Sequence, residues 1–329
     1  MAKIIGTSDA WKSVCLALNR ANFKPEKPSD IHVFLEATKK EHALAKANAT
    51  QEIQNKIDEL KKDIEQREKN FDIEIQRGRD EISVNIKSTQ ILLRSLQGSF
   101  IQKIFHYFTI RKHRERIRYL KTKYNKFPRL VQKRIDQLKD ALEKTQRNFE
   151  TIIDQQCQAT AYKVNLLENV LKSPELAGGI AELELIESLK SLPDNYYVIN
   201  DVTLEMPRAI RFDGLWLKSA QIDHVVVTPA HIFVIEVKNW SKKFSQDGDY
   251  FDPYQQIKRS SYLCYRLIGE RYNLSTKSIL AHKGYIPNKP TYSNAKVLSI
   301  DEVKGYISWF KNSNVSDQIV EKVANWLAS

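Results

Sequence analysis

The sequence predicts an α/β domain in its second half, preceded by an antiparallel α-helical coiled-coil hairpin. Three observations point there. Residues 221–240, QIDHVVVTPAHIFVIEVKNW, read as two strands rich in β-branched residues, joined by a tight turn at Thr228-Pro229-Ala230. Ile53, Ile57, Leu60 and Ile64 recur at 4, 3, 4 spacing, the seam of a coiled coil, and a second stripe runs from Val131 to Leu171. Ser173-Pro174 and Gly178-Gly179 stand between the two patterns and mark a boundary. A length of 329 residues leaves room for both parts.

The opening residues, MAKIIGTSDAW, lack the apolar core of a signal peptide, and no run reaches ~20 apolar residues. Cys15, Cys157 and Cys264 are isolated, with neither a pairing scheme nor metal-ligand spacing. The expectation is a soluble cytoplasmic protein, or one peripheral at a membrane. Residues 1–27 form a short helical segment, with a helix over 8–22 capped by Ser8 or Asp9. Pro25 and Pro28 break it, and Ser29 or Asp30 can cap the next helix. Residues 28–172 then make the hairpin. Its first helix runs over 30–96, with Phe71, Ile75, Ile82 and Ile86 continuing the stripe after a stutter. Its second runs over 128–172, through Val131, Ile135, Leu138, Leu142, Phe149, Ile153, Val164, Leu167 and Leu171. Phe71 and Phe149 read as seam residues. Folding back on itself satisfies both stripes. A homo-oligomer would share the same heptad pattern.

The basic charge is local. The chain carries +12, yet residues 103–134 hold twelve Lys and Arg against Glu115 alone, a net +11. Gly98-Ser99 is expected to break the first helix. Phe100, Ile101, Ile104, Phe105, Tyr107, Phe108 and Ile110 make a short apolar and aromatic cluster beside the basic block. Residues 98–134 are therefore a basic aromatic tip, and three readings of it stay open. Lys112, Arg114, Arg116 and Arg118 can hold a nucleic-acid backbone, with affinity that falls as salt rises. The same residues can rest on anionic lipid headgroups with the aromatics buried. Or the block is a solvated helical face.

After Gly178-Gly179 comes an amphipathic helix with Ile180, Leu183, Leu185, Ile186 and Leu189. Residues 196–204 read as a strand and 207–219 as a loop. Residues 241–249 are a polar link to a helix over 253–271. Later strands fall at 278–285 and 295–300, and Asp301 reads as a helix cap. The α/β domain spans 173–312. A final helix over 316–327, within 313–329, puts Ile319, Val320, Val323 and Leu327 on one face.

Charge is scarce in the two central strands: Asp223 in the first, Glu236 and Lys238 in the second. Buried carboxylates and a lysine are costly unless paired or bound to a metal. Strand alternation turns Glu236 and Lys238 the same way, with Val237 opposite, and Asp223 can reach that face. Two hard oxygen ligands suit Mg2+ or Mn2+. A neighbouring lysine can orient or deprotonate a water, or neutralise charge at a phosphate. A plain sheet-stabilising ion pair would leave the same pattern. His224 follows Asp223 onto the opposite face and reads as packed. Ser-His-Asp order, a Cys-His pair, a phosphate-binding glycine loop and zinc spacing are all missing.

Asp223 and, after twelve intervening residues, Glu236-Val237-Lys238 resemble the PD-(D/E)xK nuclease core. The fuller strings Gln221-Ile222-Asp223-His224 and Ile232 to Asn239 resemble the nuclease-related domain (NERD) family. Gly178-Gly179-Ile180-Ala181-Glu182 is similar to that family's Gly-x-x-Gly-Glu, with Ala181 for the second glycine. Asp252-Pro253-Tyr254-Gln255-Gln256 is similar to its Asn-Pro-x-x-Gln, with Asp252 for asparagine. The resemblance implies a restriction-endonuclease-like mixed sheet with flanking helices. It implies a metal-dependent nuclease acting on DNA, in DNA processing or defence against foreign DNA. Asp223 and Glu236, with the Val237 carbonyl, would hold Mg2+ or Mn2+. Glu182 would complete the site and Lys238 would position water. Gln221, Gln255 and Gln256 would contact substrate. The alternative is a non-catalytic tether, in which a nuclease-like module only binds nucleic acid or membrane while the coiled coil assembles a complex.

Overall fold

The computed structural model describes residues 1–96, 104, 106–247, 251–288, 290–291 and 293–329. The expected break at Gly98-Ser99, with Phe100, Ile101, Lys103 and Phe105, lies outside the described residues. The chain divides into two compact units, residues 40–161 and residues 1–39 with 162–329. The first 39 residues and the last helix belong to the same compact unit as the sheet.

The elements begin with β1 (Lys3–Ile5), α1 (Asp9–Asn19), α2 (Asp30–Lys69), α3 (Phe71–Ser95), α4 (Tyr107–Arg147) and α5 (Phe149–Leu171). In the helical unit α3 and α4 run antiparallel, since Arg134 pairs with Glu74 while Arg79, further along α3, lies over the ring of Tyr124, earlier in α4. Ile53, Ile57, Ile64 and Ile82 are buried, as are Val131, Ile135 and Ile153. The seam read from spacing is the seam of the fold. Phe149 packs there against Ala49, Ile53, Ile57 and Ile153.

The second helical run starts well before the expected residue 128. Ile110, Ile117 and Val131 fall at heptad multiples and are all buried, so one stripe spans the basic block. Pro128 lies inside α4. An interior proline costs about 3 kcal/mol. Each buried Ile or Val on that stripe contributes about 1.5–3 kcal/mol. Several such residues on either side of Pro128 outweigh it.

The other unit continues with α6 (Pro174–Leu189), β2 (Tyr197–Phe212), β3 (Leu215–Val227), β4 (Ile232–Lys238), α7 (Lys242–Asp247) and α8 (Pro253–Cys264). A π-helical turn, Tyr265–Gly269, and a short α9, Glu270–Tyr272, come next. Then come β5 (Thr276–His282), β6 (Lys296–Ser299), α10 (Ile300–Trp309) and α11 (Asp317–Leu327). Among the described residues six strands lie in sequence order in one mixed sheet. β1 is parallel to β2; β2, β3 and β4 are antiparallel; β4, β5 and β6 are parallel.

Alternation along β4 gives the sheet two apolar faces. Ile232 and Val234 pack with Tyr254, Leu263, Val320 and Val323, under α8 and α11. Phe233, Ile235 and Val237 pack with Leu185, Leu189, Val303 and Ile307, under α6 and α10. A third cluster joins Trp11, Val14 and Leu18 to Ile31, Leu167 and Leu176. A Cβ at Gly179 would lie 3.0 Å from the Trp11 amide nitrogen, so the bare glycine lets α1 lie against α6.

Several local expectations change. Gly178-Gly179 lies inside α6, which Ser173 starts by accepting from the Leu176 amide. The expected loop at 207–219 is mostly strand. Asp213 and Gly214 both have positive φ, 51° and 77°, and close a two-residue hairpin between β2 and β3. Part of the polar link after β4 is α7. Ser299, with Glu302 in a capping box, starts α10 in place of Asp301. β1 was not legible in its three residues.

Candidate active site

The ladder between β3 and β4 stops at His224 and Ile235. One step on, Asp223 and Glu236 would pair. Yet β3 stays bonded to β2 at Ile222, and β4 stays bonded to β5 through Lys238. The two strands therefore part at these carboxylates. Asp223 Oδ2 accepts from the Val237 amide at 2.7 Å, so a side chain takes the place of the missing ladder bond.

Glu236 is 1% exposed. Its Oε1 accepts from Lys238 Nζ at 2.5 Å, while its Oε2 is buried without a partner. Glu182 comes from α6 and is also buried. Burial, then the neighbouring Asp223, raises the Glu236 pKa to about 8 and the Glu182 pKa to about 7. Burial raises Asp223 as well, against the pull of Lys238 and the Val237 amide. For Lys238, burial lowers the pKa, but Glu236, Asp223 and Glu182 together outweigh it and raise the value. Lys238 is accordingly a held cation, suited to orienting water or meeting negative charge and poorly suited to taking a proton.

Four further residues reach this cluster from parts of the chain that spacing does not link to it. The Ser8 hydroxyl caps α1 by accepting from the Trp11 amide at 2.9 Å, and it stands beside the Glu182 carboxylate, whose pKa it pulls down against burial. Gln221 Nε2 donates to Asp201 Oδ1 at 3.0 Å and to Asp9 Oδ2 at 3.3 Å. Lys12 Nζ lies 2.9 Å from Asp201 Oδ2. Asp201 has a left-handed backbone, φ 58°. Only the cap signal at Ser8 was visible in sequence, and it says nothing of Glu182, which is 174 positions away.

Residues 177–284 match the NERD family model, described as a nuclease-related domain. No curated protein and no solved structure matches the chain. Asp223, Glu236, Lys238 and Glu182 all fall inside the nuclease-related domain; Ser8, Asp9 and Lys12 fall outside it.

The glutamines divide. Gln221 and Gln256 line one cavity of about 440 Å3 with Phe251 and Arg259, whereas Gln255 is not in its wall. Gln221 spends both amide hydrogens on Asp9 and Asp201, which leaves its oxygen as an acceptor. His224 is fully buried, with Nδ1 2.7 Å from Asn200 Oδ1, and burial lowers its pKa to about 3. It is a packed, neutral residue. Lys112, Arg114, Arg116 and Arg118 belong to the helical unit, where α4 presents all four to solvent and turns Ile110 and Ile117 inward.

Among the described residues, no three His, Cys, Asp or Glu side chains are grouped to hold a metal ion. The oxygens available to a hard cation are fewer: those of Asp223 and the unpartnered Oε2 of Glu236. Val237 already gives its amide to Asp223, which fixes the backbone beside them.

Proposed function

We propose that the nuclease-related domain is a metal-dependent phosphodiesterase, with DNA the favoured substrate and Mg2+ or Mn2+ the cofactor. The observation that carries this reading is the parting of β3 and β4 at Asp223 and Glu236, with Lys238 on the same face. An all-oxygen donor set of two carboxylates fits Mg2+, which keeps several waters and takes few protein ligands. Asp223 and Glu236 would hold the ion, with the Val237 carbonyl beside them, and Glu182 would tune the site. Once bound, it would polarise a phosphoryl oxygen and lower the pKa of water. A buried carboxylate oxygen with no partner is a costly arrangement, and a cation would relieve it.

In hydrolysis, a water oxygen bonds to phosphorus and gives up one proton, the phosphorus–oxygen bond to the leaving strand breaks, and the leaving oxygen takes up a proton, so that net one water is consumed. Lys238, kept protonated by three carboxylates, orients the water and offsets charge gathering on the phosphate. Gln221, pinned by Asp9 and Asp201, presents its oxygen to substrate. Roles in DNA processing or in defence against foreign DNA both fit this chemistry.

The test is cleavage of supercoiled plasmid and linear duplex with Mg2+ or Mn2+, beside Lys238→Ala and Glu236→Ala. Loss of plasmid with wild type only, abolished by chelator, supports an endonuclease. Loss of linear duplex alone supports an end-dependent enzyme. Equal cutting by the variants, or none by wild type, moves the weight to the second reading.

That second reading is a tether, favoured by the net +11 of residues 103–134. The exposed Ile104, Tyr107 and Phe108 beside the basic residues suit an anionic membrane surface, or they suit nucleic acid. Self-association through the helical unit belongs to the same reading. Tethering would survive Lys238→Ala, and hydrolysis would not. Among the described residues no helix is long and apolar enough to cross a membrane. The proposed location is the cytoplasm, or its membrane surface.

A further inference from the structure

A cavity of about 410 Å3 opens beside Lys238. One side is the start of α6, with Lys172, Ser173 and Gly178. The other is the chain leaving β4, with Lys238, Trp240 and Phe244. Its described wall holds two lysines and no carboxylate, in a unit where the neighbouring site is crowded with acids.

The aromatic side is firmly built. Trp240 and Phe244 meet edge to face, with ring centroids 5.3 Å apart. Asn239 donates to the Ala177 carbonyl at 2.9 Å and ties the end of β4 to α6. The Tyr285 amide donates to the Trp240 carbonyl at 2.9 Å. A Cβ at Gly284 would lie 2.3 Å from that same carbonyl oxygen, so only glycine permits the approach. Lys238 Nζ lies 5.9 Å from the Trp240 ring centroid, which sets the cavity directly against the proposed reaction site. Gly178 adds no side chain to the opposite wall.

We propose that this cavity receives one unstacked base of a nucleic-acid strand whose scissile phosphate sits at Lys238. The inference rests on the phosphodiesterase reading and adds the form of the substrate. An aromatic wall accepts the π-face of any base, so it selects for an accessible base and not for a sequence. Lys172 and Lys238 suit the phosphates on either side of that nucleotide. A base inside a duplex must leave its stack to enter. The domain therefore prefers single strands, or duplex regions already opened.

The test uses the full chain in chelator, so that binding is read without cleavage. The probes are fluorescein-labelled oligothymidylate, oligouridylate and a blunt duplex. The variants are Trp240→Ala, Phe244→Ala and Trp240→Phe, the last keeping a ring. Wild type is expected to bind one or both single strands more tightly than the duplex. Trp240→Ala should weaken strand binding about tenfold or more, as loss of one stacking platform does. Trp240→Phe should keep most of the affinity, and duplex binding should not move. Equal affinity for strand and duplex, or unchanged strand binding by Trp240→Ala, overturns the proposal. Adding Mg2+ separates the two readings. Cutting that ignores Trp240 and strandedness removes the base site and leaves the nuclease. Trp240-dependent binding without cutting removes the nuclease and leaves the base site.

Discussion

Glu236 is buried beside Asp223 and Glu182 and paired with Lys238, and the sign of its pKa shift decides how pH acts on the fold. Its folded pKa, about 8, stands above the ordinary carboxylate value, and Glu182 and Asp223 shift the same way. The folded state therefore binds protons more tightly than the unfolded chain. The stability this contributes is complete below the unfolded pKa and is lost as pH rises toward 8. In chelator, the denaturation midpoint should fall between pH 5.5 and pH 8. Glu236→Gln should flatten that fall and leave the protein more stable than wild type at pH 8. A midpoint that rises with pH, or a variant with the wild-type slope, would refute the assignment. Added Mg2+ should raise the wild-type midpoint at pH 8 by mass action, and Glu236→Gln should blunt that gain. Ser8 acts at two places, as cap and as a polar neighbour of Glu182. Ser8→Ala should cost about 1 kcal/mol from the cap alone. Urea denaturation measures it, and a variant as stable as wild type would contradict the geometry.

Among the elements, the β2–β3 hairpin shows what local chemistry conveys and what it hides. Asp213-Gly214 is a standard two-residue turn signal, yet Pro207 and the polar residues near it read as loop. The ladder absorbs Pro207 in a register irregularity between Glu205 and Ile210. Gly214→Val should destabilise the domain by about 1–2 kcal/mol, because φ 77° is closed to a β-branched residue. Chemical denaturation would show it; no change would mean the turn is not held. The site depends on where a ladder ends. That Asp223 and Glu236 share a face follows from alternation, but that β3 and β4 part there depends on their other neighbours, β2 and β5. α4 teaches the same lesson: its expected start was 128, and the stripe through Ile110, Ile117 and Val131 carries the helix across Pro128.

At the scale of the whole molecule, nearly all net charge sits in residues 103–134, while the proposed chemistry sits in the nuclease-related domain. If the basic block binds nucleic-acid backbone, log K should fall linearly with log salt. Replacing Lys112, Arg114, Arg116 and Arg118 by glutamate should cut that slope by roughly four phosphate contacts' worth, about 0.7–0.9 each. Cleavage of short oligonucleotides at saturating concentration should be little changed. Anisotropy across a salt series measures the first, and a single-turnover assay the second. An unchanged slope would make the block a solvated face.

The sequence by itself determined the two-part architecture, the seam, the two central strands and the carboxylate-carboxylate-lysine set. Each is written in short-range periodicity or spacing, which a chain expresses locally. Only the tertiary structure decided the rest. It placed Ser8, Asp9 and Lys12 beside Glu182, Gln221 and Asp201, between 174 and 212 positions away. It packed the first helix against α6 and the last onto the sheet, and it set Trp240 against the start of α6. Those are contacts between elements, fixed by which faces must be buried together, and no local pattern records them.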